Sequence, residues 1–316
     1  MVMISTGWGT IEGFFGRAWD WAARADHIRF LASAEARVYI YAPKSDRALR
    51  ADWRKPWTDS ELAELCQLRA VARQSGIGFG IGFCPFDLFG WGSAADRQDL
   101  AAKLSQINAV APDLLAVLYD DTRGGAADLV DGQLAVFDQI AAQTNAAHLA
   151  FCPAYYSDDP ILDTVFGPRP DGYLEALGRA LDPSVDMFWT GPQVISSHYP
   201  AAHLDHVAER MRRKPLLWDN WPVNDSRKLS PFLRLRPPQG RGPELHDRIA
   251  GLICNPMNQA ALSQLPLFAL SKGWLGADPK TAWNVFLDHQ LPADLAKALR
   301  RDLWLMQDQG QAALTA

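Results

Sequence analysis

The sequence predicts a (β/α)8 barrel, the TIM-barrel class of α/β fold, followed by a short C-terminal helical extension. Eight short apolar runs are spaced along the 316 residues, most of them separated by amphipathic stretches. That alternation builds a parallel sheet. Eight is also the number of strands that closes such a barrel. No G-x-G-x-x-G follows the first run, which removes the main support for the alternative, an open doubly wound sheet.

In chain order the candidate strands are residues 10–12, 37–41, 77–83, 114–119, 147–151, 185–189, 215–218 and 251–254. Segments 59–74 and 94–109 repeat apolar residues every three or four positions, and Thr58 and Ser93 precede them as N-caps. "GIGFGIGF" (76–83) lacks the spacing of a phosphate loop and reads as a strand whose glycines permit close packing. Residues 219–248, rich in Pro, Arg and Gly, read as a long loop with little helix. "DPKTAWNVFLDHQ" and "PADLAKALRRDLWLMQDQ" then read as two helices, with Pro292 opening the second. The expected division is a barrel over 1–275 and C-terminal helices over 276–316 that pack on it or extend from it.

A content of 48% hydrophobic and 21% charged residues is that of a soluble globular protein with a substantial core. The net charge of -5 argues against nucleic acid or an anionic membrane as the main partner. No apolar stretch approaches the roughly 20 residues that span a bilayer. "MVMISTGWGTIEG" lacks the basic and then apolar order of a signal peptide. Cys66, Cys84, Cys152 and Cys254 are scattered without a C-x-x-C pair, so they read as reduced thiols of a cytoplasmic protein. Twelve tryptophans are many for this length, and sugar sites use such rings as platforms.

In a barrel of this kind chemistry sits at the C-terminal ends of the strands. The residues there are Gly13 to Arg17, Ala42-Pro43-Lys44, Cys84-Pro85, Asp120-Asp121, Cys152 to Tyr156, Thr190-Gly191, Asp219-Asn220 and Asn255-Pro256. Such a collection favours an enzyme over a structural module. Asp120 and Asp121 place two like charges side by side at the mouth of a buried strand. The same dipeptide, Asp158-Asp159, lies between Ser157 and Pro160 and reads as an ordinary solvated turn. The meaning of the pair therefore comes from its context. Strand side chains alternate between faces, so both carboxylates can face one site only if the strand breaks at Asp120, with 122–125 making the turn.

In order, "GTIEGFFGRAW" (9–19), "YIYAPKSD" (39–46), "LYDDT" (118–122), "FCPAYY" (151–156), "WTG" (189–191), "LLWDNWPVND" (216–225) and "NPM" (255–257) resemble glycoside hydrolase family 84, the β-N-acetylglucosaminidases. The resemblance covers roughly residues 8–275, the whole barrel. It implies a retaining enzyme that removes terminal β-linked N-acetylglucosamine, with the substrate's own 2-acetamido oxygen as nucleophile and an oxazoline intermediate. This is one of the substrate-assisted exceptions to the scheme with an enzyme carboxylate as nucleophile. Its advantage is intramolecular, because well-oriented neighbouring groups reach effective molarities of about 10⁵–10⁸ M.

By the family pattern Asp120 orients the acetamide and Asp121 is the general acid/base. Two adjacent carboxylates do not ionise together easily, so one pKa is expected to be lifted. The resemblance further implies that Asp225 and Asn220 bind the sugar, that Trp218 lines the acetamide pocket and that Tyr156 contacts the acetamido group. Lys44 and Asn255 are expected to bind hydroxyls, and Gly13 to let its backbone carbonyl approach the sugar. Away from the family pattern, Asp225 reads as a cap or a partner of Arg227. Two departures stand out: Phe15 where the family usually has tyrosine, and Ala154 where it usually has glutamate.

"HLDH", His203 to His206, reads as a solvated helix face and not as a metal site. No serine sits in a nucleophile elbow, so neither metal nor organic cofactor is expected. A catalytically silent barrel that binds N-acetylglucosamine is the rival from another class, and the presence of both aspartates counts against it. A chitinase-like barrel would show D-x-x-D-x-x-D-x-E, which is absent. The aglycone is open between a glycosylated serine or threonine, a cell-wall fragment and a free glycan.

Overall fold

The computed structural model describes residues 7–122 and 124–314. Eight parallel strands form a closed barrel in sequence order: β1 (Gly7–Ile11), β2 (Val38–Tyr41), β3 (Gly78–Phe83), β4 (Leu114–Leu118), β5 (His148–Cys152), β6 (Asp186–Trp189), β7 (Leu216–Pro222) and β8 (Gly251–Asn255). The ring closes where Gly7 and Trp8 pair with Gly251 and Leu252. All eight expected strands are present. Residues 1–6, which include much of the stretch read for a signal peptide, lie outside the described residues.

Two strands differ by more than one residue at an end from the pattern-based expectation, and the other six by one residue. β1 starts three residues earlier than expected and stops at Ile11, because pairing with β2 and β8 on both sides makes a strand of a glycine-containing segment. β7 runs on to Pro222, with a register irregularity against β8 between Asp219 and Pro222. A bulge of this kind bends a strand and re-aims its side chains. It separates Trp218 and Asn220 from the loop that follows.

The helices pack around this ring: α1 (Trp21–Ser33), α2 (Asp59–Ser75), α3 (Ala94–Val110), α4 (Leu129–Ala141), α5 (Ile161–Phe166), α6 (Tyr173–Ala180), α7 (Ala201–Met211) and α8 (Ala260–Trp274). Thr58 and Ser93 cap α2 and α3, each completing a capping box with Glu61 and Asp96. The glycines of β3 serve packing: a Cβ on Gly82 would lie 2.6 Å from Ala42 Cβ and 2.7 Å from Leu118 Cδ1. Phe79, Ile81, Leu115, Val117 and Phe151 are wholly buried. Burial of each such side chain contributes about 1.5–3 kcal/mol. They pack the layer between strands and helices, as where Phe151 meets Phe137 of α4, while Ile40, Leu114 and Leu118, of the opposite parity, are buried inside the ring.

Two further helices follow, α9 (Pro279–Gln290) and α10 (Ala293–Trp304). Asp278 caps α9 through the N–H groups of Lys280 and Thr281. The Phe286 ring of α9 meets Phe268 of α8 at 5.2 Å between centroids. Most of the segment read as an irregular loop is irregular, apart from the end of β7 and one 3-10 turn, Pro243–Leu245.

Candidate active site

Nine residues singled out from the sequence, drawn from six strand ends, line one cavity of about 380 Å³: Gly13, Lys44, Asp120, Asp121, Tyr156, Trp218, Asn220, Asp225 and Asn255. Its walls mix apolar surface with a few convergent polar groups, the usual character of a small-molecule site.

Asp120 and Asp121 lie just past β4, which ends at Leu118, with Tyr119 between. Thr122 turns the chain, its N–H and hydroxyl both donating to Tyr119 O at 3.2 and 2.6 Å. Asp121 takes a left-handed backbone, φ 58°, a conformation that aspartate tolerates better than most residues. The strand alternation is thereby broken, and both carboxylates face the cavity. Arg123, within the expected turn, lies outside the described residues.

The two acids have different surroundings. Asp120 is buried, and its Oδ2 accepts a hydrogen bond from Lys44 Nζ. Its Oδ1 is also buried and has no protein partner. Burial opposes ionisation of Asp120, but the Lys44 ammonium and the Arg50 guanidinium outweigh it and hold the carboxyl below the ordinary carboxylate range. Asp121 is more open, with 31% of its side chain exposed; its Oδ2 lies 3.5 Å from Lys44 Nζ and its Oδ1 accepts from the Tyr156 hydroxyl at 3.3 Å. The asymmetry of the pair comes from the cation bonded to one member: Asp120 is held down, where the expected repulsion between neighbours would have lifted one of the two.

Lys44 is itself buried. Burial works against its charge, yet Asp120 and Asp121 more than offset this and keep it a cation with a raised pKa. Beyond the expected role of donor to a hydroxyl, it is an ion-pair partner of the aspartates. The Tyr156 phenol is pushed up by burial and by the two carboxylates, so it stays neutral and can donate. Burial also lifts the Cys152 thiol well above its ordinary value, which leaves this cavity residue a neutral thiol rather than a nucleophile.

The other wall is a chain of amides. Trp218 Nε1–H donates to Asn220 Oδ1 at 3.0 Å, and Asn255 Nδ2–H donates to the same oxygen at 3.1 Å. Asn220 Nδ2–H donates to Val194 O at 2.9 Å, and Asn255 Oδ1 accepts Gly13 N–H at 3.2 Å. Both asparagines therefore spend most of their hydrogen bonding on the protein and hold the Trp218 ring in place; each keeps one N–H for a ligand. The need for glycine at position 13 has a local cause beyond the one expected. A Cβ there would lie 2.4 Å from Trp218 Cζ2.

Asp225 Oδ2 accepts Phe15 N–H at 2.7 Å. Burial raises its pKa, an effect that this N–H partly offsets. Among the described residues it makes no ion pair, so the bridge to Arg227 is not formed. Phe15, nearly half exposed, stands at the mouth with Ile195, and Lys44 Nζ lies 5.6 Å from the Phe15 ring centroid. Ala154 is wholly buried and is not among the lining residues; its N–H donates to the Tyr173 hydroxyl at 2.9 Å.

Cys152, Phe188, Thr190, Val194 and Ile195 also line the cavity without having been singled out. Thr190 and Cys152 were visible as residues following strands; Val194 and Ile195 lie in an irregular loop with no local signal. Asp158 and Asp159 correct the sequence reading of a plain solvated turn. Asp158 pairs with Arg210 at 3.0 Å, and Asp159 Oδ2 accepts Val194 N–H at 3.1 Å, which braces the loop on the cavity wall. His203 Nε2 accepts the Trp189 indole N–H at 3.2 Å. Among the described residues no cluster of three or more His, Cys, Asp or Glu could hold a metal ion.

A family model described as beta-N-acetylglucosaminidase matches residues 8–301. The chain is 30% identical over 257 residues to the protein O-GlcNAcase of Rattus norvegicus, a match covering 78% of this chain and 28% of that protein, and equally to the protein of the same name from Mus musculus. It therefore spans less than a third of the length of these relatives. An O-GlcNAc hydrolase mutant from Thermobaculum terrenum superposes with a TM-score of 0.81 at 28% identity, covering 92% of this chain and 64% of that one. With the barrel, the cavity and these matches together, the chain belongs to the beta-N-acetylglucosaminidase family.

Proposed function

We propose that this chain is a retaining exo-β-N-acetylglucosaminidase that releases terminal β-linked N-acetylglucosamine by substrate-assisted catalysis. Asp120 is the residue that orients the acetamide, and Asp121 is the general acid/base. Gly13, Lys44, Tyr156, Trp218, Asn220, Asp225 and Asn255 form the rest of the sugar site. The observation that carries this reading is the state of Asp120: one oxygen on Lys44, the other buried and unclaimed. A buried carboxylate oxygen without a donor is costly, and an acetamide N–H would satisfy it.

In the first step the acetamide oxygen attacks the anomeric carbon, the glycosidic bond breaks, and the leaving oxygen takes the proton of Asp121. Ionised Asp120 accepts the N–H and balances the positive charge that develops on nitrogen. Asp121, now a carboxylate, then removes a proton from water as the water opens the oxazoline at the same carbon. Two inversions give retention. Tyr156, neutral and bonded to Asp121, is suited to hold that carboxyl in place.

Further readings belong with this one. The substrate is a glycoprotein, a cell-wall fragment or a glycan carrying the β-linked sugar. No helix among the described residues is long and apolar enough to cross a membrane, and the four free thiols support a reducing, cytoplasmic setting. Residues 1–275 are read as the catalytic barrel and 276–316 as its helical extension. The test is release of nitrophenol from nitrophenyl β-N-acetylglucosaminide alongside the glucoside lacking the acetamide. Only the first should be cleaved at an appreciable rate; equal rates, or a glycosyl ester trapped on a side chain, would defeat the substrate-assisted scheme.

A further inference from the structure

Asp225 begins a long excursion that leaves the barrel after β7 and returns at β8, and the far end of the chain holds that excursion in place. After α10 the helix widens into one π turn, Leu305–Gln309, a geometry frequent at functional sites. Gln307 Oε1 accepts two backbone N–H groups of the loop, from Leu235 at 3.0 Å and Arg236 at 2.8 Å. Met306 O accepts Leu233 N–H at 3.0 Å, and Gln311 N–H donates to Pro231 O at 2.8 Å. From α9, Trp283 Nε1–H donates to Leu235 O at 2.7 Å. The pinned segment is one hydrogen bond from the site. Phe232 O accepts Asn224 Nδ2–H at 3.0 Å, and Asn224, fully buried, directly precedes Asp225.

We propose that Gln307 is a positioning residue for Asp225, acting through 232–236 and Asn224 to fix that carboxylate before the sugar arrives. This rests on the reading of the cavity as a sugar site. Preorganisation of this kind lowers the ordering cost of binding. Asp225 would grip the sugar similarly in the ground and transition states, so loosening it should raise KM and leave kcat nearly unchanged. Gln307 is only half-buried, so its truncation spares the core.

The experiment compares Gln307→Ala, Gln307→Glu, Asp225→Ala and the Gln307→Ala/Asp225→Ala double variant. It reads kcat and KM on nitrophenyl β-N-acetylglucosaminide, and hydrogen exchange over residues 222–236 in the ligand-free protein. Gln307→Ala should raise KM about three- to tenfold, the loss of a hydrogen bond or two, and speed exchange in the loop. Gln307→Glu keeps an acceptor oxygen and should restore both. In the Asp225→Ala background Gln307→Ala should add nothing to KM; the same factor with and without Asp225 would overturn the proposal. Exchange needs no substrate, so the two readings fail separately. Unchanged exchange in an active Gln307→Ala protein removes the clamp, whereas a wild-type protein inert on the glycoside, with a loop that loosens in Gln307→Ala, removes the sugar site.

Discussion

At the residue scale the site turns on how three charges share one cavity. Asp121→Asn cannot deliver a proton, so substrates with poor leaving groups should slow by about 10²–10⁴-fold, while nitrophenyl substrates slow far less. Equal losses on both would remove Asp121 from the acid role. Lys44 keeps Asp120 ionised against its burial. Because the folded carboxyl lies below its unfolded value near 3.9, its ionisation contributes stability above that pH. The contribution disappears as pH falls through the folded value. The acid limb of kcat/KM should follow the same group. In Lys44→Met burial of Asp120 is opposed mainly by Arg50, and the limb should move up by about a unit or more; a pH profile unchanged from wild type would contradict the assignment. The aspartates were legible because an apolar run ends on them, and because Asp158-Asp159 supplied a contrast. The partner of Lys44 was not legible, since it lies 76 positions away in sequence.

At the element scale the eight strands were readable from their apolar runs, but their ends were not. Pairing with β8 sets where β1 begins, and an irregularity opposite Asn255 lengthens β7; neither partner is local. The most consequential long-range pair at this scale is also invisible in a single sequence. Asp219, at the β7 irregularity, forms a two-bond ion pair with Arg241 at 2.9 and 3.1 Å, and both are almost fully buried. Arg241 also donates to Ser196 O at 2.7 Å, tying the β6 and β7 loops together beside Trp218 and Asn220. Arg241→Met should cost about 3–5 kcal/mol in urea unfolding, because it strands a buried carboxylate. Adding Asp219→Leu should recover part of that loss. A double variant weaker than the single one would mean that the clasp itself, rather than the stranded charge, carries the stability.

At the scale of the whole molecule the closed ring decides what kind of substrate fits. The barrel interior is filled by buried side chains, so the cavity at the strand ends has a floor, in which Cys152 and Phe188 take part, and Phe15, Ile195 and Ser226 stand exposed on its rim. A long open groove would let a polysaccharide thread through and be cut internally. On the reading proposed above, a cavity of about 380 Å³ instead admits the terminal sugar, with the aglycone left outside near Asp121. This much was within reach of the sequence, since eight runs imply a filled barrel, but the depth of the cavity was not. It depends on residues such as Val194, held by Asp159 from a different loop. On β-linked oligomers of N-acetylglucosamine the protein should therefore release single sugars from the non-reducing end. Chromatography of early products from a tetramer should show monomer and trimer in equal amounts and little dimer. Dimer as the main early product would mean that the chain passes through the site, and the blind cavity would no longer describe how substrate binds.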